Sequence, residues 1–185
     1  MGAKSQIDSA TRTTQGLEVV EARWLFDITE SQIEVMIHRE SIIHSLVEYK
    51  DRSMIAQLGL PDMRTPISYA MKYPGRMPLD LPSLDLTEMG KLTFCKPDHD
   101  RFPCLSLGYE SLRIGGTMPA TMNAANEVAV EAFLNKGIRF TDIAEIIRST
   151  MDLHTTNNVE SLEDALEADR WAREKAESLV VALAR

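Results

Sequence analysis

The 185-residue chain is 44% apolar and 26% charged, which suffices for one large domain or two small ones with a buried core. Its net charge of −8 argues against a nucleic-acid surface, and its apolar runs are too short to span a bilayer. Residues 1–14 are polar and hold no signal-peptide core. The two cysteines, Cys95 and Cys104, are too few for a disulfide framework and are read as reduced thiols of a bacterial cytoplasm or a plastid stroma.

In chain order, residues 14–26 are predicted to form a helix with Leu17, Val20 and Trp24 on one face and Leu25 adjoining. Alternation over residues 33–37 predicts a β segment. The runs 41–49 and 53–58, parted by Lys50-Asp51-Arg52, predict a hairpin that Gly59 and Pro61 end. A short helix follows Pro66. Pro74, Gly75, Pro78 and Pro82 then exclude a long regular element, and residues 91–94 offer one more strand. From there the signals are helical. Pro103 opens a helix that Gly115-Gly116 stops, and Pro119 opens another that runs to about Asn135 and is stopped by Gly137. Thr141-Asp142 begins a third helix. Ser161 with Asp164 resembles a capping box for a last helix running nearly to Arg185. The expected fold class is α+β: a partial mixed α/β part with a small sheet over residues 1–75, a connector over 76–100, and an antiparallel α-helical bundle over 101–185. One helix and roughly three strands, with no βαβ unit, leave the sheet of the first part short of partners.

The chemistry-bearing residues begin with Asp8-Ser9-Ala10-Thr11, read as a polar stretch ahead of the first helix. Ser9 and Thr11 can cap that helix, or donate to an anion where its free N–H groups also point. Glu18 can ligate a hard divalent cation or can be a surface carboxylate favoured by the helix dipole. A single carboxylate does not make a metal site. Glu21 and Arg23 read as a solvated face. His38, His44, His99 and His154 lack metal-ligand spacing; His38 and His44, on or beside strands, can be core, interface or catalytic. Asp98-His99-Asp100 is either a cation-binding loop or a solvated turn. There is no G-x-G-x-x-G, P-loop or G-x-S-x-G, so nothing binds a nicotinamide cofactor by the usual glycine-rich turn.

Several strings in register resemble one family. Ile7-Asp8-Ser9-Ala10-Thr11, Gly16-Leu17-Glu18 and Glu21-Ala22-Arg23-Trp24-Leu25-Phe26 are similar to the catalytic helix region of 1-deoxy-D-xylulose 5-phosphate reductoisomerases. Gln57-Leu58-Gly59 and Pro61-Asp62-Met63-Arg64-Thr65-Pro66-Ile67 resemble the segment after that family's central strands. Asn123-Ala124-Ala125-Asn126-Glu127 and Ile138-Arg139-Phe140-Thr141-Asp142-Ile143 resemble its C-terminal helical domain. The resemblance implies an NADPH-dependent enzyme requiring Mg²⁺ or Mn²⁺, which rearranges and reduces a sugar phosphate to 2-C-methyl-D-erythritol 4-phosphate in non-mevalonate isoprenoid biosynthesis. It also implies a homodimer, with residues 1–75 as part of the catalytic and dimerisation domain.

Residue by residue, the resemblance makes Ser9 a ligand of the substrate phosphate, Glu18 one of three acidic metal ligands, and Met63 a neighbour of the nicotinamide. Ser41 falls in the active-site neighbourhood, and Met1-Gly2 at the end of a lid near substrate and cofactor. The family's Asp-Ser-Glu segment, which holds the other two ligands, and its dinucleotide-binding domain are expected upstream. The chain departs from the family at Thr14-Gln15, where the family carries a substrate-contacting Asn-Lys pair. Two functional expectations follow. One is the C-terminal portion of an active reductoisomerase, inactive as the isolated chain. The other is a diverged, non-catalytic dimerisation or binding module. An unrelated metal-binding α+β protein would have Glu18 alone in its favour.

Overall fold

The computed structural model describes residues Gly2–Leu183; Met1 and Arg185, invoked above for the lid and the end of the last helix, lie outside the described residues. The elements are α1 (Ala3–Thr11), α2 (Thr13–Phe26), β1 (Ile43–Glu48), β2 (Met54–Leu58), α3 (Arg64–Lys72), α4 (Leu86–Met89), α5 (Pro103–Ile114), α6 (Met118–Leu134), α7 (Asp142–Leu153) and α8 (Leu162–Leu183), with a 3₁₀ turn at Glu30–Gln32. The fold is α+β, and two compact units divide it. One runs through Val35 and resumes at Asp98; the other is Met36–Pro97. Contacts thus join α1 and α2, grouped above with the strands, to the C-terminal helices.

The helical unit is built around α6. Its Met118, Met122, Ala124, Ala125, Ala129 and Val130 are buried, because neighbours cover it on more than one side. On α7, Ile143, Ile146, Ile147 and Met151 recur at helical spacing and bury completely or nearly so, each contributing about 1.5–3 kcal/mol. On α8 the buried stripe is Ala168, Ala172 and Ala176, and small side chains every four residues let α8 lie close along α6. Ser161 starts α8 as expected: its hydroxyl accepts from Asp164 N–H at 3.4 Å, while the Asp164 carboxylate accepts the Ser161 N–H at 2.8 Å.

Helix α2 meets α5 through glycine. A Cβ on Gly108 would stand 2.5 Å from Gly16 Cα and 2.7 Å from Gly16 O, so the two backbones touch with no side chain between them. This contact sets which face of α2 is buried. The inner stripe is Thr13, Gly16 and Val19, whereas Trp24 and Leu25 are 72% and 76% exposed. The expected stripe of Leu17, Val20 and Trp24 is therefore corrected in part: Leu17 packs, partly buried, against the core, while the close approach at Gly16 centres the buried face on Thr13, Gly16 and Val19 and leaves Trp24 outside.

Three further expectations are corrected. Asp8 to Thr11 lies inside a helix of its own, α1, and not ahead of the first helix. Residues 33–37 form no strand, and neither do residues 91–94; Ile37 makes a single bridge with Cys95, just past the second run. Alternation cannot make a strand where no neighbouring strand supplies a ladder.

In the unit Met36–Pro97, β1 and β2 pair antiparallel, with Val47 opposite Ile55 and an irregularity between Ile43 and Ser45. Arg52, at φ 71°, closes the turn, and Asp51 accepts from the Ser53 amide and hydroxyl. Pro66 is the third residue of α3, where its missing N–H costs nothing. Ile42 and Ser68 alone are buried in this unit, while Val47, Met54, Ile55, Ile67 and Met71 are exposed. A two-stranded sheet has too little surface to cover both of its faces. Among the described residues no helix is long and apolar enough to cross a membrane.

Candidate functional site

The densest set of the residues singled out above surrounds the break between α1 and α2. Arg12 caps both helices with φ 66° and ψ 17°, and its N–H donates to Ser9 O at 3.3 Å. The left-handed residue ends α1 and starts α2 within one position. Ser9, half-buried in the last turn of α1, is thereby brought beside the first turn of α2, which carries Thr14 and Gln15. The first amides of a helix lack intrahelical acceptors, and the N-terminal end of its dipole favours an anion. One hydroxyl, free amides and the nearby Arg12 thus form a set that can hold a phosphate. The Arg12 guanidinium lies over the Phe102 ring, 5.6 Å from its centroid.

Thr11 does not join this set. It is buried, its hydroxyl lies 2.8 Å from that of Thr13, and it donates to the Ile7 or Asp8 carbonyl of its own helix. Gln15 Oε1 is buried without a hydrogen-bond partner. Gly2 caps the far end of α1, about 10 Å from Ser9 at the rise of an α-helix.

Glu18 follows one turn after Gln15 on α2. It opens to solvent on one side, yet partial desolvation, and secondarily the Glu21 carboxylate, push its pKa above the ordinary glutamate value. A partly desolvated carboxylate beside a second carboxylate gains from a cation. Among the described residues, however, no three His, Cys, Asp or Glu side chains converge on a common point. A divalent ion needs about six oxygens, so Glu18 fits one position of a shared site and does not make a resident one.

Ser41 and Met63 belong to the unit Met36–Pro97. Ser41 is exposed at φ 51°, and its N–H donates to His38 O at 3.3 Å. Met63 is 70% exposed at the start of α3. It is held there by its neighbours: the Asp62 carboxylate accepts from the Arg64 guanidinium and amide, which lowers the Asp62 pKa to about 2. The Pro-Asp-Met-Arg-Thr-Pro string is thus a brace around an exposed methionine.

The histidines have structural partners. His38 Nε2 accepts from Ile42 N–H, so the proton sits on Nδ1, which faces Thr93 O at 2.9 Å; the ring stacks on Phe94. His44 Nε2 lies 3.1 Å from Gly59 O, and His99 Nδ1 lies 2.9 Å from Ser106 Oγ. His154 Nε2 pairs with Thr117 Oγ1 at 2.8 Å, and burial pushes its pKa down. Cys95 and Cys104 are both free thiols.

Sequence reasoning missed the residues that hold α1. Asn126 Nδ2 donates to Asp8 Oδ1 at 2.9 Å with both residues buried, and Lys4 bridges to Glu127 at 3.2 Å. The Asn-Ala-Ala-Asn-Glu string was the available signal, but nothing in its spacing names a partner 118 residues away.

A family model described as DXP reductoisomerase C-terminal domain matches residues 58–175. Curated relatives are similar over nearly the whole chain. The 1-deoxy-D-xylulose 5-phosphate reductoisomerase of Chlorobium phaeobacteroides is 58% identical over 97% of this chain and 47% of its own length. That of Citrifermentans bemidjiense is 57% identical with the same coverage. The chain therefore spans about half the length of the curated relatives it matches. The solved 1-deoxy-D-xylulose 5-phosphate reductoisomerase of Zymomonas mobilis in complex with NADPH aligns with a TM-score of 0.93 at 48% identity, covering 97% of this chain and 48% of that one. A crystal structure of DOX-P reductoisomerase in complex with NADPH, fosmidomycin and magnesium aligns with a TM-score of 0.90 at 44% identity, covering 99% and 47%.

The environment of Glu18 can be checked directly. In a carbon-detected NMR titration Glu18 is expected to titrate above 4.5, and Glu21→Gln to lower its pKa only part of the way, because desolvation is the larger cause. A Glu18 that titrates at or below 4.5 contradicts this environment.

Proposed function

The chain belongs to the DXP reductoisomerase C-terminal domain family, and from that membership we propose that it is the C-terminal portion of an NADP-dependent reductoisomerase converting 1-deoxy-D-xylulose 5-phosphate to 2-C-methyl-D-erythritol 4-phosphate. The α1–α2 junction carries the proposal. It offers a serine hydroxyl and unpaired helix-start amides to an anion, one turn away from a carboxylate whose raised pKa favours a neighbouring cation. In this reading Ser9 donates to the substrate phosphate, and the Thr14 and Gln15 amides orient it. Glu18 contributes one ligand to a Mg²⁺ or Mn²⁺ ion, which when bound supplies Lewis acidity to the substrate oxygens. Met63 lies against the nicotinamide of NADPH, Ser41 near the substrate, and Gly2 at the end of a covering lid. Relatives have been solved with NADPH and with magnesium, which supports both cofactors for the complete protein.

A second reading, a diverged module that keeps the fold without the chemistry, has Thr14-Gln15 in its favour. Gln15 is neutral, and its Oε1 meets no donor. A charge-assisted bond to phosphate contributes about 1.5–3 kcal/mol against about 1 for a neutral one.

The test joins the chain to the N-terminal half of a relative. The 185-residue chain alone is expected to leave NADPH unoxidised, and the joined protein to turn over substrate in a manner that Glu18→Ala abolishes. Thr14→Asn with Gln15→Lys is expected to tighten substrate binding about tenfold and to make it more sensitive to salt. A joined protein that folds and binds NADPH but shows no turnover, even with the pair restored, favours the module. If the restored pair changes neither affinity nor turnover, Arg12 already serves the phosphate.

Both readings include homodimerisation through the unit Met36–Pro97, supported by the exposed Val47, Met54 and Ile55. Sedimentation velocity at micromolar concentration is expected to show a dimer, and a monodisperse monomer overturns this part.

A further inference from the structure

Helix α1 carries the proposed phosphate serine, yet little apolar burial holds it. Its buried residues are Asp8 and Thr11, and Ile7 is only partly covered. A nine-residue helix is marginal by itself, so its placement depends on polar partners. Those partners come from α6, and α8 braces one of them from behind. Asn126, fully buried, donates through Nδ2 to Asp8 Oδ1 at 2.9 Å. The carboxyl oxygen can only accept, which fixes the Asn126 amide with its NH₂ toward α1. Beside this pair, Lys4 Nζ lies 3.6 Å from the other Asp8 oxygen and 3.2 Å from Glu127 Oε1. Glu127 Oε2 accepts from Arg173 of α8, whose guanidinium also holds Asp169 at 2.7 Å. These ion pairs hold the Glu127 pKa down and the Arg173 pKa up.

We infer that Asn126, with Glu127 behind it, is a positioning residue for substrate: it fixes the rotation of α1 through Asp8 and so aims the neighbouring Ser9 at the phosphate. This rests on the phosphate site proposed above. Successive helix residues point about 100° apart, so an anchor on Asp8 sets the direction of Ser9. The Asn-Ala-Ala-Asn-Glu string then has a physical reason. Its alanines, Ala124 and Ala125, pack inside the bundle, while Asn126 and Glu127 reach α1. The ligand class is a phosphate monoester, for which inorganic phosphate is the probe.

The test uses the full chain. Asn126→Asp sets two carboxyl groups face to face, and the exchanged pair, Asp8→Asn with Asn126→Asp, restores one donor and one acceptor. Amide hydrogen exchange in Asp8, Ser9 and Ala10, whose N–H groups are bonded within α1, is expected to rise about tenfold in Asn126→Asp, with Ile146 and Ile147 of α7 unaffected, and to return toward wild type in the exchanged pair. Glu127→Gln, at a partly exposed position, gives a smaller rise in the same segment. In parallel, phosphate is expected to shift the Ser9 and Thr14 amide resonances of wild type and of the exchanged pair, and to bind several-fold more weakly to Asn126→Asp. Unchanged exchange, a rise spread equally over α7, or failure of the exchanged pair to recover overturns the positioning role, because a merely packed residue would not be rescued by reversing donor and acceptor. If wild-type resonances ignore phosphate, the proposed phosphate site fails, and the exchange pattern still decides for or against the clamp between α1 and α6.

Discussion

The backbone contact between Gly16 and Gly108 is the constraint on which the helical unit depends. Helices with ordinary side chains at a crossing stay about 8–10 Å apart. Here no Cβ intervenes, and a Cβ at Gly108 would overlap Gly16 at 2.5 Å. Gly16 stands next to Gln15 and two residues before Glu18, so α5 sets the position and rotation of the α2 segment that bears these residues. The same contact decides that Thr13, Gly16 and Val19 face inward and that Trp24, Leu25 and Phe26 face out.

The two ends of the candidate site are held by different physics. Helix α2 is held by shape, through close approach of two backbones. Helix α1 is held by polar pairing, through Asp8 with Asn126 and Lys4 with Glu127. Shape tolerates little change in volume, whereas buried polar pairs tolerate little change in hydrogen-bonding sense. The left-handed Arg12 joins these two independently anchored helices in a single residue. A junction fixed from both sides keeps Ser9 and the start of α2 in one arrangement, which is the preorganisation that anion binding requires.

Much of the fold was legible in the sequence where apolar periodicity and stop signals agree. Pro103 with Gly115-Gly116 and Pro119 with Gly137 place both ends of α5 and α6, and Ser161 with Asp164 places the start of α8, within a residue or two of where the structure has them. The hairpin was equally legible from two β-branched runs around Lys50-Asp51-Arg52. Helix α1 was not, because Ala3–Thr11 has no apolar stripe and its inward face is Asp8 and Thr11. Residues 33–37 misled because alternation records a pattern and not the presence of a partner strand. As for the candidate site, Ser9 and Glu18 stood out only through resemblance to a family, since a serine and one carboxylate have many ordinary uses. Asn126 was invisible as a partner of Asp8, because a hydrogen bond across 118 positions leaves no periodic trace.

The unfolding free energy of Gly108→Ala relative to wild type is the most direct measurement of whether this contact governs the helical unit. Trp24 and Trp171 both lie in that unit, so tryptophan fluorescence in a urea titration reports on it. Two effects oppose each other. Helix propensity alone favours alanine over glycine in the interior of α5 by about 0.5–1 kcal/mol, whereas forcing a methyl group into an occupied space costs about 1–3 kcal/mol or more. The sign of the change therefore decides. A loss of at least about 1 kcal/mol is the result required by the close approach of α2 and α5. A variant as stable as wild type, or more stable, contradicts it.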